Sequence, residues 1–186
     1  AMFPGNIAIS IAKNLKDVRI IATDVSEKAL KIAKLNAKLH GVENKIIFIQ
    51  SNLLSDFCHS ERSEESRDPS VSPQDDNQIN IIVTNLPYIP TQRIPYLDSS
   101  VKDFEPHIAL DGGGDGFELY RKLFQQISDL ATQHRGLTPM LIIGEIDYTH
   151  GELAVIEAQK FFPEAVVEVK TDLAHRQRIL LINQLL

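Results

Sequence analysis

Short apolar runs alternate along this chain with stretches whose apolar residues recur every third or fourth position, a pattern that predicts strands interleaved with amphipathic helices. Ile7, Ile11 and Leu15 stand at helical spacing and predict a first helix. Val18 to Thr23 is a compact apolar run that ends at Asp24 and reads as a buried strand. Ser26 suits the N-cap of the next helix, with Glu27 in its first turn. Leu30, Ala33, Ala37 and Leu39 line one face of that helix, and Gly41 marks its end. Further strands are predicted over 45–50, 79–84 and 140–145, and further helices over 117–134 and 151–161. Residues 165–170 and 177–182 close the chain as an antiparallel pair of strands. The alternation predicts an α/β domain with a largely parallel sheet, and no repeat period is visible.

The rhythm breaks at 58–78, where Ser, Glu, Arg, Asp, Pro and Gln dominate and Val71 is almost the only large apolar residue. Such a stretch buries too little surface to offset its ordering entropy, so it is expected to be a disordered insertion within a catalytic domain spanning 1–186. A regulatory or partner-binding loop is the alternative, which the composition favours less.

Composition narrows the function class. The chain has 186 residues, 43% hydrophobic, with a formal net charge of −6, so no overall positive field gathers nucleic acid. The single cysteine, Cys58, excludes an intrachain disulfide and suits a reducing cytosol. No apolar run approaches the roughly 20 residues of a membrane helix, and no signal-peptide pattern opens the chain. A cytoplasmic, monomeric protein without membrane contact is expected. Histidines at 40, 59, 107, 134, 150 and 175 show no metal-ligand spacing, and no metal is expected.

Three blocks carry candidate chemistry. Asp24 follows a buried strand, where a carboxylate can accept both ribose hydroxyls of a nucleotide-like cofactor; on its own it reads equally as a helix-capping carboxylate. Ser51-Asn52 follows the next strand, in the place where such folds meet an adenine ring. Asn85-Leu86-Pro87-Tyr88, after the third strand, is the sharpest signal. An amide or exocyclic amine is a weak nucleophile because its lone pair is delocalised. Two acceptors on its N–H groups, the Asn85 side-chain oxygen and the Leu86 carbonyl, can aim it and draw density onto it. Pro87 holds Leu86 extended, and the Tyr88 ring offers a flat face to a planar group. Glu105-Pro106 and the run Ala109 to Gly116 form the third block, in which the glycines either approach a ligand or make a turn into the helix at Phe117. Glu145, at a strand end, either faces the cleft or caps it.

These blocks, in this order, resemble the release-factor glutamine N5-methyltransferase family. The pieces are Gly5 to Ser10, Asp24-Val25-Ser26, Asn85 to Tyr88, Phe104-Glu105-Pro106, Ala109 to Gly116 with Tyr120-Arg121, and Asp172-Leu173-Ala174. The resemblance implies a Rossmann-like, class I fold and methyl transfer from S-adenosylmethionine to the glutamine amide of the Gly-Gly-Gln motif in peptide release factors. It implies that Asn85 and the Leu86 carbonyl hold the amide, with Pro87 and Tyr88 completing the substrate contact. Asn85 and Tyr88 are then the catalytic residues, and Gly5, Asp24, Asn52 and Asn85 border the cofactor. No direct nucleic-acid contact is implied.

The chain also departs from the family. Leu86 stands where the family has the first proline of Asn-Pro-Pro-Tyr, Asn52 replaces an Asp, and the insertion after Phe57 has no counterpart. Of the glycine loop that follows the family's first central strand only Gly5 remains. That strand would lie between those ending at Asp24 and Thr84, so two hydrophobic strand edges are expected to lack a partner. Poor cofactor affinity and low stability are expected with them. Two rivals remain: a methyltransferase for adenine N6 or guanine N2 of nucleic acid, and an inactive fragment that keeps the fold.

Overall fold

A computed structural model describes residues 4–55, 79–133 and 141–184. The expected insertion at 58–78 lies outside them, as do Met140 and His134. The chain divides into two compact units, Ala1–His59 and Ser60–Leu186.

The first unit holds α1 (Asn6–Asn14), β1 (Ile20–Asp24), α2 (Glu27–Leu39) and β2 (Ile46–Gln50). β1 and β2 pair in parallel, from Ile20 opposite Ile46 to Asp24 opposite Gln50, with α2 as the crossover. Local chemistry sets the ends of α2. The Ser26 hydroxyl accepts the Ala29 N–H at 3.2 Å, the N-cap expected from sequence. At the other end Gly41 has φ +66°, its N–H donates to Lys38 O, and the Val42 N–H donates to Ala37 O. That is the Schellman arrangement, which requires a left-handed residue just past the helix.

The core of this unit is Ala8, Ile9, Ala12, Ala37, Val42 and Ile46, with Ile20, Ala22 and Phe48 packed against it. The expected helix at 7–15 exists, but its inward face differs from the predicted spacing. Ile7 and Leu15 are exposed, and the small residues Ala8 and Ala12 are buried with Ile9. Leu39, on the expected inner face of α2, is 81% exposed. The Lys45 ammonium donates to the carbonyls of Ala12 and Leu15 at 2.9 and 2.8 Å, satisfying acceptors at the end of α1.

The second unit holds β3 (Ile81–Thr84), α3 (Ser99–Lys102), α4 (Glu118–Gln133), β4 (Leu141–Glu145), α5 (Gly151–Phe161), β5 (Val166–Thr171) and β6 (Gln177–Asn183). Short 3-10 segments at Thr91–Tyr96 and His107–Ala109 lie between β3 and α4. The sheet order is β3-β4-β6-β5: β3 and β4 run parallel, while β6 runs antiparallel to both its neighbours. The closing antiparallel pair is thus present. Phe117, Tyr120, Phe124, Ile127 and Leu130 of the α4 region, with Ile142, Ile146, Leu180 and Ile182, are almost fully buried. Phe117 and Tyr120 stack at 4.9 Å, and Phe124 meets Phe162 edge-on at 5.5 Å.

Among the described residues β1 pairs only with β2, and β3 only with β4. Each therefore ends a sheet, as the expectation of two unpartnered edges required. Both are apolar on the two faces, like strands of a covered parallel sheet, yet Ile21 is 46% and Ile81 is 55% exposed.

One ion network ties α4 to α5. Arg121 meets Asp115 at 2.5 Å and Glu157 at 3.1 Å, and Lys160 also reaches Glu157 at 2.9 Å. The Arg121 hydrogen bond is the main cause that holds the Asp115 carboxyl down at about 2. Asp115 therefore contributes stability that is complete above its unfolded value near 3.8 and lost as pH falls through about 2. Replacing Arg121 with Met is expected to cost about 2 kcal/mol at neutral pH, because the buried Glu157 keeps only Lys160. The same variant is expected to show a shallower loss of stability between pH 4 and pH 2, measured as urea midpoints against pH.

Candidate active site

Asn85-Leu86-Pro87-Tyr88 leaves the carboxyl end of β3, the end at which ligands of parallel α/β sheets bind. The Asn85 side chain is exposed and makes no hydrogen bond among the described residues. Its amide oxygen is open to an incoming N–H group.

The backbone behind the tetrapeptide is fixed from several sides. The Tyr120 hydroxyl donates to the Glu145 carbonyl at 2.5 Å, and its oxygen faces the Leu86 N–H electrostatically. It thereby joins the start of the tetrapeptide to the end of β4. Gly144 makes room for this ring: a Cβ there would lie 2.6 Å from the Tyr120 hydroxyl oxygen. Burial, with Glu145 adding to it, raises the Tyr120 phenol well above its ordinary value, so it stays protonated as a donor.

The glycine block lies against the same backbone. The Ile89 N–H donates to Leu110 O, the Gly112 N–H to Ile89 O and the Thr91 N–H to Gly113 O, at 3.1, 2.9 and 2.9 Å. A Cβ on Gly112 would stand 2.8 Å from both the Pro87 carbonyl oxygen and the Tyr88 Cα. Gly116 has φ +79°, and its missing Cβ would overlap the Tyr88 carbonyl oxygen. Side chains hold the block in place: Asp111 accepts from the Gly113 N–H and the Thr91 hydroxyl, Glu118 from the Gly114 N–H, and Asp115 from the Phe117 N–H. Of the two roles open from sequence, the structure supports the turn, with close approach made to the chain's own tetrapeptide.

Tyr88 is half-buried. Its hydroxyl donates to Glu145 Oε1 at 3.0 Å and accepts from Arg178 Nη1 at 3.2 Å. Burial, followed by the neighbouring Glu145 charge, pushes the Tyr88 phenol up to about 12. Glu145 therefore faces the tetrapeptide, one of the two positions its sequence context left open. Arg178 was missed in the sequence; its only signal was a charge inside an apolar strand. Of the remaining blocks, Phe104 is 83% exposed, and Asp172 closes the turn between β5 and β6 by accepting the N–H groups of Ala174 and Arg176.

Of the residues expected to border a cofactor, Gly5, Asp24 and Asn52 lie in the first unit and Asn85 in the second. Asp24 and Asn52 follow the carboxyl ends of adjacent parallel strands, because Asp24 stands opposite Gln50 in register. Asp24 Oδ1 accepts the Ser26 N–H at 2.8 Å, a local turn that engages one carboxylate oxygen ahead of the Ser26 N-cap. Asn52 is exposed and Ser51 buried. Leu53 has φ +61°, a strained conformation of the kind that gathers at ligand sites. Gly5 precedes α1 at φ +81°, where a Cβ would come within 2.9 Å of the Ala33 Cβ. A carboxylate and an amide are the chemical groups that a ribose and a base call for, whereas the close approach at Gly5 is to Ala33 of α2.

Curated relatives match the chain along most of its length. The release factor glutamine methyltransferase of Dictyoglomus turgidum is 35% identical over 176 residues, covering 95% of this chain and 55% of the relative. That of Bacillus anthracis is 29% identical over 175 residues, covering 94% and 54%. The chain spans about half the length of the curated relatives it matches. No family model matches it. Among solved structures, the hMettl16 catalytic domain in complex with an RNA hairpin superposes with a TM-score of 0.61 at 12% identity, over 98% of this chain and 62% of that one. A putative rRNA-methylase from Clostridium thermocellum gives 0.54 at 14%, over 98% and 84%. At such identities these structures bear on the fold alone, which is the Rossmann-like α/β fold of class I methyltransferases. No helix among the described residues is long and apolar enough to cross a membrane. By sequence along nearly its whole length, the chain belongs to the release factor glutamine methyltransferase family.

Proposed function

We propose that the protein carrying this chain transfers a methyl group from S-adenosylmethionine to the side-chain amide nitrogen of the glutamine in the Gly-Gly-Gln motif of peptide release factors. The observation that carries this reading is the tetrapeptide: its backbone is fixed from behind, while the Asn85 amide stays open at the sheet end where ligands bind.

In this reading the Asn85 oxygen and the Leu86 carbonyl each accept one N–H of the glutamine amide. They turn the nitrogen lone pair toward the donor and stabilise the positive charge that grows on nitrogen as it is methylated. S-adenosylmethionine, when bound, would supply an electrophilic methyl group on a sulfonium that leaves as a neutral thioether. Tyr88 packs beside the amide plane; held protonated by a pKa near 12, its phenol positions the amide and takes no proton from it. The surplus amide proton leaves to water. Asp24 would hold the ribose and Asn52 the adenine, with Gly5 as the remaining close turn. The work of these side chains is alignment, which accounts for the lack of a strong base in the tetrapeptide.

The deciding experiment incubates the purified protein with S-adenosylmethionine and a purified release factor, then maps the product by tandem mass spectrometry. A single added methyl on the Gly-Gly-Gln glutamine is expected. Methyl transfer to DNA or ribosomal RNA, with the release factor left unmodified, would replace this reading with the nucleic-acid one.

A further inference from the structure

Three polar groups that are far apart in sequence meet at the Tyr88 hydroxyl because their strands are neighbours. Tyr88 follows β3, Glu145 ends β4 and Arg178 lies in β6, and β3-β4-β6 are consecutive in the sheet. Glu145 accepts the hydroxyl proton at 3.0 Å, and Arg178 donates to the same oxygen at 3.2 Å. One acceptor and one donor leave the hydroxyl a single favourable orientation, and with it the tilt of the ring.

Arg178 is itself held in place. Its guanidinium carbon stands 5.7 Å from the Tyr88 ring centre and 5.8 Å from that of Tyr148. Asp172 lies 4.0 Å from its Nε, and the Ile146 carbonyl is 3.5 Å from Nη1. The cation thus lies within cation–π reach of two aromatic rings, with an anion beside it. Glu145 is anchored as well, because its backbone carbonyl receives the Tyr120 hydroxyl. All of this is more than the fold needs to end a strand, and it converges on the one tetrapeptide side chain with a flat face.

We propose that Glu145 and Arg178 are positioning residues for Tyr88: together they clamp its hydroxyl and set the plane of the ring against which the acceptor amide lies. The proposal rests on the methyltransferase reading above. Neither side chain is required to touch the amide or the methyl donor. Their action passes through the phenol oxygen, so it vanishes when that oxygen is removed.

The test is a double-mutant cycle in the intact protein, using Glu145→Ala, Glu145→Gln, Arg178→Met and Tyr88→Phe with release factor as substrate. Glu145→Ala and Arg178→Met are each expected to lower kcat by about 10- to 100-fold, with KM changed by less than about 3-fold, since alignment rather than binding is lost. Glu145→Gln keeps an acceptor for the hydroxyl and is expected to stay within about 3-fold of the parent. In the Tyr88→Phe background, Glu145→Ala is expected to add almost nothing. A second readout needs no activity: ultraviolet titration resolves the Tyr88 phenol by difference from Tyr88→Phe. Its midpoint, near 12 in the parent, is expected to fall in Glu145→Gln, where the neighbouring charge is gone while the burial that raises it most remains.

Equal losses from Glu145→Ala with and without the phenol oxygen, or a Tyr88 titration that Glu145→Gln leaves unchanged, would overturn the proposal. The functional reading fails separately, when the parent protein leaves the release factor unmethylated; the titration still reports on the clamp in that case.

Discussion

Asn85→Ala is expected to lower kcat/KM for the release-factor glutamine by about 10³-fold, equivalent to roughly 4 kcal/mol, while leaving the fold intact. The magnitude follows from the kind of contact. A fixed hydrogen-bonding group aimed at charge that develops in the transition state is worth about 10²- to 10³-fold elsewhere. Asn85 has two such tasks, since it orients the nitrogen and stabilises the growing charge, so the upper end applies. The intact fold follows from exposure: Asn85 makes no hydrogen bond among the described residues, so its removal orphans no described group. Surface changes of this kind usually stay within about 0.5 kcal/mol. The measurements are steady-state methylation and a urea midpoint on the same preparations. Retention of more than a tenth of the parent activity would show that the tetrapeptide does not hold the acceptor amide. Asn85→Asp sharpens the result, because it keeps an acceptor oxygen but adds a charge, and is expected to fall between parent and alanine.

How much of this was legible in the sequence depends on how far the determining contacts reach. The ends of α2 were readable because Ser26 and Gly41 act on backbone groups within five residues. The tetrapeptide was readable because its four members are contiguous and follow an apolar strand. The inner face of α1 was misread. Large aliphatic residues at helical spacing suggested Ile7, Ile11 and Leu15, whereas close packing places Ala8 and Ala12 inside, near Ala37. Small residues mark a tight helix contact, and an apolar spacing rule weighted to size passes over them. Glu145 was visible as a candidate at a strand end, but its partnership with Arg178 was not legible, for a different reason. Their meeting with Tyr88 depends on the strand order β3-β4-β6, in which β6 inserts beside β4 ahead of β5. No local pattern encodes that order. The glycine block fell between the two cases: its need for unusual backbone was visible, but its neighbour was not.

That neighbour sets the second large effect: Gly116→Ala is expected to destabilise the protein by about 3 to 4 kcal/mol, against about 1 kcal/mol for Gly41→Ala. The two glycines share a left-handed backbone, φ +79° and φ +66°, so the conformational penalty of an alanine is similar at both. Their surroundings differ. Nothing lies within 4 Å of a Cβ at Gly41, which ends α2 in open space. At Gly116 the new carbon would overlap the Tyr88 carbonyl oxygen and lie 2.8 Å from His150 Cε1 and 3.0 Å from Pro90 Cδ. The oxygen belongs to backbone that cannot swing aside, and Pro90 and the buried His150 leave little slack on the other sides. Relief requires Tyr88 to move, which pulls its hydroxyl away from Glu145 and Arg178. Gly116→Ala is therefore expected to lose activity even in the fraction that folds, with kcat falling at least about 10-fold below that of Gly41→Ala. Denaturant midpoints and methylation rates of the two variants, measured side by side, give the comparison. Equal midpoints would mean that the block gives way freely and does not brace the tetrapeptide. Unequal midpoints with equal rates would mean that it braces the fold without setting the position of Tyr88.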